Sequence, residues 1–445
     1  MIARLAPLLL LCAAASTIAA DFPPTLPGGA RVGSGSSPDL LQPTETLREG
    51  IAVASEAPAV DFLYYECQTY EPKPGVWSAW GDGLAAGDKF YSSVGDHSSP
   101  GGNAFLYEYD SAAKSLRLCT DLRGVLRRPD GHYTPGKIHS RIDLGSDGWL
   151  YFSTHRGSTK VGLNPENHFE GDWILRHHPA GGETEIVAAQ PLAMQCLPTG
   201  LLDPERLIFY AGTADGLNKD EPQFLAYDVS RRKGLYADAH GPYRYLIYAP
   251  SRGAVYFHGE TAAGKKGAAP LVRFDPENPG KPVPVPAEVG LRAATIETPA
   301  GKVYTIDGDE LWEFDTKSES ARSLGAAAAA GETYTASLDI DPKTWRYLYY
   351  VPGAHGGAHR DGSPLIQYDL ETKKRKVIAF LHPYLYQAYG YIPCGTYSTA
   401  VSPDGDKVYI NWNGNTGTAK ADLGGKIKFN TCALTIVHVP ESERP

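Results

Sequence analysis

Three basic side chains stand at one position of a repeated pattern, where together they could bind an anion. When the repeats are superimposed, His139, Arg244 and Arg292 each fall at the first residue of an innermost strand. Arginine is rarely buried without a partner, whereas its planar guanidinium binds carboxylate or sulfate through two parallel hydrogen bonds. The sequence therefore predicts a site for an anionic group. Three tyrosines are expected beside it: Tyr243, Tyr245 and Tyr397.

Structural alternatives exist for each of these residues. Arg244 could pair with an acidic residue such as Asp238, and a single histidine more often supports structure than performs chemistry. The superposition of His139 on two arginines favours a functional role. His155, which begins an upper loop after the second strand of the same repeat, is a second candidate base.

A possible metal site is the second group of interest. His355 lies in a glycine-rich loop and Cys394 just before an inner strand, and imidazole with thiolate is a usual ligand set for zinc. Cys196, at the equivalent edge of another repeat, could add a third ligand. No fixed local spacing supports this set, and a buried free cysteine with a loop histidine is the structural alternative. The anion chemistry needs no cofactor, so zinc or calcium here would be structural.

The repeat itself predicts the elements that position these residues. An inner strand, a turn and a second strand rich in aromatic or branched residues recur at intervals of roughly 45 to 60 residues, which is typical of the four-stranded blades of a β-propeller. The seven copies centre on Lys89–Tyr91, His139–His155, Leu207–Phe209, Val255–Phe257, Val303–Thr305, Leu348–Tyr350 and Val408–Ile410.

A second strand pair follows each copy, and its first strand usually ends in an aromatic residue next to Asp, as at Tyr109-Asp110 and Phe314-Asp315. The Asp suits a tight hairpin because its side chain can accept from nearby backbone amides. The last copy has only one such strand, Ala433–Val439. We expect the missing strand to come from Gly50–Ala54, so that the chain is an all-β, seven-bladed β-propeller whose ring an N-terminal strand closes by completing the last blade.

The chain divides into three parts by composition. Residues 1–20 have the positive start, short apolar run and small-residue end of a signal peptide. Residues 21–45, rich in Pro, Gly and Ser, are expected to form a flexible N-terminal segment. Residues 46–445 are assigned to the propeller. This organisation predicts a secreted or periplasmic protein, and we expect a monomer.

Charge and cysteine content limit the partners. The formal net charge of −9 argues against nonspecific binding to nucleic acid or to an anionic membrane surface, although a local cationic cleft can still bind a polyanion. Removal of the signal peptide leaves an odd number of cysteines, so at least one thiol is free or binds a metal. The five cysteines that remain are Cys67, Cys119, Cys196, Cys394 and Cys432.

Four phrases carry a resemblance to a known family: Gly136–Arg141, Trp149–His155, Tyr349–Gly356 and Tyr391–Tyr397. In this order on a propeller, over roughly residues 60 to 440, they resemble the exported bacterial propeller polysaccharide lyases, the ulvan lyases most and the oligogalacturonate lyases more distantly. The resemblance lies in blade layout more than in a diagnostic string. The four-ligand His and Gln manganese site of the oligogalacturonate lyases is not evident here, because the residues at the inner-strand starts are mixed, and this departure counts against a pectin substrate.

The resemblance implies cleavage of a uronate-containing acidic polysaccharide by β-elimination. Arg244 would neutralise the carboxylate, His139 or His155 would take the C5 proton, and a tyrosine would protonate the leaving oxygen. Tyr243 is the predicted acid, although Tyr245 and Tyr227 are alternatives. Arg292, Tyr245 and Tyr397 are predicted to bind substrate.

Other classes of function compete with this reading. A non-catalytic propeller that binds carbohydrate or protein is the strongest alternative. A calcium-dependent lactonase would need Glu, Asp and Asn at the inner-strand starts, where this chain has His, Cys and Arg. A quinone-dependent dehydrogenase would carry a coloured cofactor, which an absorbance spectrum would detect.

Overall fold

The computed structural model describes residues 26–66, 77–97, 101–158, 162–216, 219–259, 267–416, 427 and 429–444. The predicted signal peptide lies outside these residues, as do Cys12 and Cys67. The described chain folds into seven sheets arranged in sequence order, and N-terminal strands are added to blades six and seven as described below. The prediction of an all-β, seven-bladed β-propeller is confirmed.

Each blade is one sheet whose strands follow one another along the chain. Blade one has Trp77–Ser78, Leu84–Ala86, Lys89–Asp96, Ala104–Asp110 and Ser115–Asp121; blade two has Lys137–Ile138, Asp143–Leu144, Leu150–His155, Trp173–His177 and Thr184–Ala189; blade three has Gln195–Asp203, Ile208–Asp215, Phe224–Asp228 and Lys233–Asp238; blade four has Ile247–Ala249, Ala254–His258, Ala269–Phe274 and Val283–Val289. Blade five has Ala293–Ala294, Lys302–Asp307, Glu310–Asp315 and Ser320–Ala326; blade six has Thr335–Ile340, Tyr347–Pro352, Pro364–Asp369 and Lys374–Phe380; blade seven has Tyr391–Val401, Lys407–Thr416, Thr431–His438 and Ala59–Tyr64, with Gly33–Gly35 at its edge.

Burial along the strands follows their position in the blade. The inner strand Tyr391–Val401 is buried at every residue, because it is covered by neighbouring blades on both faces. The outer strand Val283–Val289 alternates between exposed and buried residues over its second half, as a half-covered strand should. Aromatic residues fill the space between blades, and Tyr151 and Tyr256 are fully buried there.

The repeated Asp has the predicted hairpin role. The carboxylate of Asp110 accepts from the backbone amides of Ala112 and Ala113 at 2.9 and 2.8 Å. Asp315 makes the same contacts with Lys317 and Ser318 at 2.9 and 3.0 Å. These bonds satisfy backbone donors in a tight turn that the strand ladder leaves unpaired.

An N-terminal strand closes the ring, but it is not the segment that the sequence suggested. Ala59–Tyr64 pairs antiparallel with Thr431–His438 in blade seven, with Val60 opposite Val437. Within Gly50–Ala54, only Ala52–Val53 forms a strand, and it pairs parallel with the outer strand of blade six. The later run is long enough to pair over six residues, and it buries Phe62 against Tyr389 at 4.7 Å between ring centroids.

The described part of the predicted flexible segment, residues 26–45, is packed against the propeller instead. Gly33–Gly35 pairs with the closing strand, and the side chain of Leu40 is completely buried. The apolar side chains in this Pro- and Gly-rich stretch explain the difference, since Leu26 and Leu40 both join the core between blades six and seven.

Helices are few and short. Within the described ranges, two α-helices, Leu122–Leu126 and Leu381–Tyr389, connect strands, and the 3-10 turns are Pro27–Gly29, Pro38–Leu41, Pro165–Asn167, Ala358–Asp361 and Glu441–Glu443. Among the described residues, no helix is both long enough and apolar enough to cross a membrane.

Candidate functional site

The inner strands surround an axial channel that carries a cavity near each end. The first cavity takes residues from all seven blades, so it lies where the inner strands meet at the axis. The second cavity shares Asp82, Arg141 and Tyr245 with the first, so these residues form the waist of the channel. The first cavity is lined by Gly81, Asp82, His139, Ser140, Arg141, Pro198, Thr199, Gly200, Leu201, Arg244, Tyr245, Leu246, Arg292, Ala336 and Tyr397.

The structure brings together the three basic residues that the repeats superimposed. His139 follows the inner strand Lys137–Ile138, and Arg292 directly precedes Ala293–Ala294. Arg244 lies three residues before Ile247–Ala249, and all three side chains line the first cavity. These three residues line one end of the channel, and we call that end the cationic mouth. Their placement agrees with the sequence prediction, while their roles stay predictions.

Neither arginine of the cationic mouth is neutralised by a carboxylate within hydrogen-bond reach in the described part of the chain. Arg292 Nε donates to the hydroxyl of Tyr334 at 2.7 Å, and its guanidinium lies 5.4 Å from the ring centroids of Tyr334 and Tyr397. Arg244 is exposed, and it forms no ion pair with any of the residues that the structure describes. Both arginines therefore keep their positive charge available to a ligand.

The proposed pairing of Arg244 with Asp238 is wrong. The carboxylate of Asp238 accepts from the Tyr236 hydroxyl at 2.9 Å and from the backbone amide of Ala239 at 2.6 Å. Asp238 ends an outer strand, whereas Arg244 reaches the axis at the start of the next blade, so the loop between them separates the two side chains.

An acidic residue, Asp82, lies at the waist and lines the same cavity as the cationic mouth, but its carboxylate is held by hydroxyl groups and not by Arg244 or Arg292. Asp82 accepts from the hydroxyls of Tyr245 at 2.8 Å and Ser337 at 2.9 Å, and burial raises its pKa. Arg141 pairs with Asp143 at 2.8 Å. Tyr245, which was predicted to bind substrate, therefore lines the cavity but already holds Asp82 with its hydroxyl.

His139 is held in one tautomer by the backbone. Its Nδ1 donates to the carbonyl oxygen of Pro198 at 2.7 Å, and because a carbonyl can only accept, Nε2 carries the lone pair. Burial lowers the pKa of His139 to about 3, and the nearby charge of Lys137 adds to the effect. The imidazole is therefore neutral at physiological pH and can accept a hydrogen bond or a proton through Nε2.

Lys137 and Trp80 belong to this region but were missed as site residues. The ammonium of Lys137 lies 4.1 Å from the ring centroid of Trp80, and burial lowers its pKa to about 7. The Trp80 ring also packs on Tyr397 at 4.1 Å and on His97 at 5.3 Å. Sequence position was the signal that could have found them, because Lys137 is two residues before His139 and Trp80 lies near the start of blade one, just after the strand Trp77–Ser78.

His155 does not line the cavity. Its ring lies behind His139, perpendicular to it with centroids 5.3 Å apart, and only 5% of the residue is exposed. Beside it are the buried carboxylate of Asp172 and the buried thiol of Cys196. Burial raises the pKa of Asp172 to about 6. The predicted role of His155 as a base at the anion site therefore lacks the required access to ligand.

Tyr243 points away from the cavity that it was predicted to serve. Its hydroxyl donates to Glu221 at 2.6 Å on the neighbouring blade, and burial raises its pKa to about 12. Tyr397 lines the cavity as predicted, and burial raises its pKa further above the usual value. Among the predicted tyrosines, Tyr397 is therefore the better placed proton donor.

His355 and Cys394 lie in different surroundings. The ring of His355 stacks on Tyr334 with centroids 4.3 Å apart, near the cationic mouth. The thiol of Cys394 donates to the carbonyl of Ile392 at 3.3 Å and packs among apolar side chains. The described residues contain one group of three side chains that could hold a metal together, and it includes Cys196 but neither His355 nor Cys394. The four cysteines among the described residues, Cys119, Cys196, Cys394 and Cys432, form no disulfide.

Comparisons with known proteins give a likeness of fold only. No family model matches the chain, and no curated protein matches it, so the resemblance to polysaccharide lyases has no support from either comparison. Three solved propellers are similar to this chain. The U3-55K structure is 10% identical, with 81% of this chain and 95% of that chain covered and a TM-score of 0.47. For the Neurospora crassa Pan2 WD40 domain the identity is 11%, the coverages are 82% and 95% and the TM-score is 0.45, and for the RRP9 WD40 repeats the identity is 9%, the coverages are 81% and 94% and the TM-score is 0.47. At these identities and scores the likeness does not bear on what this chain binds or catalyses.

Proposed function

We propose that the cationic mouth binds a carboxylate group of an acidic saccharide, held between Arg244 and Arg292. The observation that carries this proposal is two guanidinium groups lining one cavity with no carboxylate paired to either in the described chain. A planar carboxylate matches the paired donors of a guanidinium. The indole of Trp80, beside Tyr397, adds an aromatic surface of the kind that apolar ligand faces pack against.

The position of the site supports an oligosaccharide more than a macromolecular surface. The charges lie at the channel mouth, where a ligand must enter end on or as a narrow chain. The net charge of the whole chain is −9, so attraction of an anion depends on these local groups and not on the overall field.

A second candidate function, β-elimination at the bound uronate, is favoured by one observation: His139 lines the same cavity with an unprotonated Nε2. In this reaction His139 Nε2 takes the C5 proton, the electron pair forms the C4–C5 double bond, and the bond from C4 to its oxygen breaks. The departing oxygen takes a proton from the Tyr397 hydroxyl, so atoms and charge balance. Neutralising the carboxylate with Arg244 and Arg292 makes the C5 proton removable.

The binding proposal is tested by calorimetric titration with oligogalacturonate and with its methyl-esterified form, which has the same length and shape without the charges. We expect the acidic form alone to bind, and Arg244→Ala and Arg292→Ala each to weaken binding by about tenfold or more. Arg322→Ala is the matched control, because Arg322 is exposed on an outer strand and pairs with Glu313. Equal binding of both forms, or unchanged affinity in both mouth variants, would contradict the proposal.

The elimination candidate is tested separately, by mixing the wild-type protein with ulvan, pectin, alginate and glycosaminoglycans and recording the ultraviolet absorbance of unsaturated uronates. A rise with one substrate, lost in Arg244→Ala, supports catalysis. Binding without any rise, across all four polymers, leaves the saccharide-binding function and removes the lyase.

A further inference from the structure

We infer that His155, Asp172 and Cys196 form a metal site in the wall between blades two and three, suited to Zn²⁺. One ligand atom from each of the three side chains lies within 4.8 Å of the other two. Imidazole, carboxylate and thiolate together are a donor set that zinc prefers, whereas the thiolate disfavours calcium and magnesium.

Two buried atoms of this cluster, His155 Nδ1 and Asp172 Oδ2, have no hydrogen-bond partner outside the cluster. The Cys196 thiol is close enough to Asp172 to interact with its carboxylate, and Asp172 and Cys196 are both fully buried. A buried polar atom without a partner normally costs about 1 to 3 kcal/mol, so native structures rarely leave two side by side. A bound cation would satisfy both atoms at once.

The other oxygen of the carboxylate is held in place by neutral donors. The Tyr133 hydroxyl donates to Asp172 Oδ1 at 2.9 Å, and the Thr154 hydroxyl donates to the same atom at 2.8 Å. Hydrogen bonds of this kind orient a ligating carboxylate and leave its second oxygen for the metal. Oδ2 is the atom without a partner outside the cluster, as this arrangement requires.

The backbone fixes the three residues to one another. Asp172 precedes the strand Trp173–His177, and its amide donates to the carbonyl of Gln195, next to Cys196, at 2.9 Å. His155 ends the adjacent strand Leu150–His155. Ligands around tetrahedral zinc are about 3.5 Å apart, so rotation of the side chains has to close the remaining distance.

Local charges are compatible with a divalent ion that binds one carboxylate and one thiolate. Two buried basic residues oppose a cation here: Arg156, whose Nη1 donates to the carbonyl of Asp215 at 2.9 Å, and Lys137, whose ammonium acts on both His155 and Cys196. The two anionic ligands offset both charges of Zn²⁺, so the site with its metal adds no net charge to this wall. Three protein ligands leave a fourth position for water.

The test is metal analysis of the full-length protein purified under reducing conditions, followed by Co²⁺ substitution. We expect about one zinc per chain and, with Co²⁺, the near-ultraviolet absorption of a thiolate–cobalt bond. Cys196→Ser should remove that absorption and most of the zinc. Cys394→Ser should keep both, because Cys394 is a buried thiol outside the cluster.

A second variant covers the case in which Cys196→Ser does not fold. Asp172→Asn keeps an oxygen for the Tyr133 and Thr154 hydroxyls but loses the anionic ligand, and we expect at least a tenfold loss of zinc affinity with an unchanged circular dichroism spectrum. Wild-type protein that holds no zinc after loading and dialysis would overturn the inference, as would loss of zinc in Cys394→Ser but not in Cys196→Ser. Neither result would affect saccharide binding, since none of the three ligands lines the cationic mouth.

Discussion

The Nε atom of Arg292 lies 2.7 Å from the hydroxyl oxygen of Tyr334, so a neutral phenol and not a carboxylate orients this guanidinium. The arrangement holds the side chain in place without cancelling its charge. Neighbouring Tyr397 adds a ring face 5.4 Å from the guanidinium carbon. An arginine held in this way can bind an anionic ligand at low conformational cost.

The first prediction separates the charge of Arg292 from its orientation. Tyr334→Phe should weaken binding of oligogalacturonate by about three- to tenfold, since one hydrogen bond of about 1 kcal/mol is lost, and should leave the salt dependence of binding unchanged. Arg292→Gln should weaken binding further and also reduce the salt dependence, because a charge is removed. Calorimetry at two salt concentrations measures both quantities. A reduced salt dependence in Tyr334→Phe would contradict the proposed division of roles.

The second prediction concerns His139 and applies to the elimination candidate. In His139→Asn, the side-chain amide can replace Nδ1 as donor to Pro198, but nothing replaces Nε2. Elimination should fall at least a hundredfold, while binding should stay within about threefold of wild type. The rate of unsaturated uronate release and the dissociation constant are the two measurements.

His178→Asn is the control for this variant, because His178 lies in a hairpin and accepts from the Gly181 amide at 2.7 Å. It should change neither quantity. If His139→Asn keeps full elimination activity, the base is another group. If it loses binding as severely as Arg244→Ala, the histidine holds the ligand and does not act on it.

The repeat made much of this site predictable. The inner strands of a propeller meet at the axis, so residues next to their ends converge wherever the repeats superimpose, and His139, Arg244 and Arg292 do line one cavity although none of them lies within an inner strand. Tyr243 could not be assigned in the same way. It lies in the loop before Ile247–Ala249, where no strand alternation fixes the direction of a side chain.

Contacts between blades were not predictable from the repeat. Lys137 is buried because it lies over Trp80 of the preceding blade, and Cys196 meets His155 and Asp172 across the boundary of blades two and three. Such pairs depend on the packing of whole sheets, and no local spacing in the sequence records them. For the same reason the sequence grouped Cys196 with His355 and Cys394, which lie elsewhere.

The third prediction concerns ring closure and its dependence on pH. Asp61 of the closing strand binds His438 at 2.9 Å and Lys114 at 2.7 Å, which joins blades seven and one. Burial raises the pKa of Asp61, but hydrogen bonds from His438, Lys114 and Ser34 outweigh burial and hold the pKa well below its usual value. A lowered pKa in the folded state stabilises the fold above the unfolded-state pKa of about 4, and this contribution is lost as the pH falls further.

Asp61→Asn should therefore lower the free energy of unfolding by about 2 kcal/mol at neutral pH, as expected for a lost charged hydrogen-bond acceptor. The difference from wild type should shrink as the pH falls below about 4, because the unfolded wild-type chain then takes up a proton that the folded carboxylate still resists. Denaturant unfolding at pH 7, 5 and 3 measures the effect. The exposed Asp130→Asn serves as the control, and a difference that is independent of pH would argue against a role for the charge.

The fourth prediction concerns the contact that positions the segment before His139. Gly95, in the strand Lys89–Asp96 of blade one, lies so close to Gly136 that an added Cβ would collide with the carbonyl oxygen of Gly136. In the same strand, the Ser93 hydroxyl donates to the carbonyl of Ile138 at 3.1 Å. Gly95→Ala should lower the free energy of unfolding by about 1 to 3 kcal/mol, because backbone has to move on both sides of the contact. It should also weaken binding at the cationic mouth, since the displaced segment carries His139.

Gly234→Ala is the control, because no atom lies within 4 Å of the new methyl group, and it should have little effect on either measurement. Urea unfolding and oligogalacturonate titration of both variants test the prediction. Equal free energies of unfolding for the two variants would contradict it, because the Gly136–His139 segment would then move aside with no loss of stability.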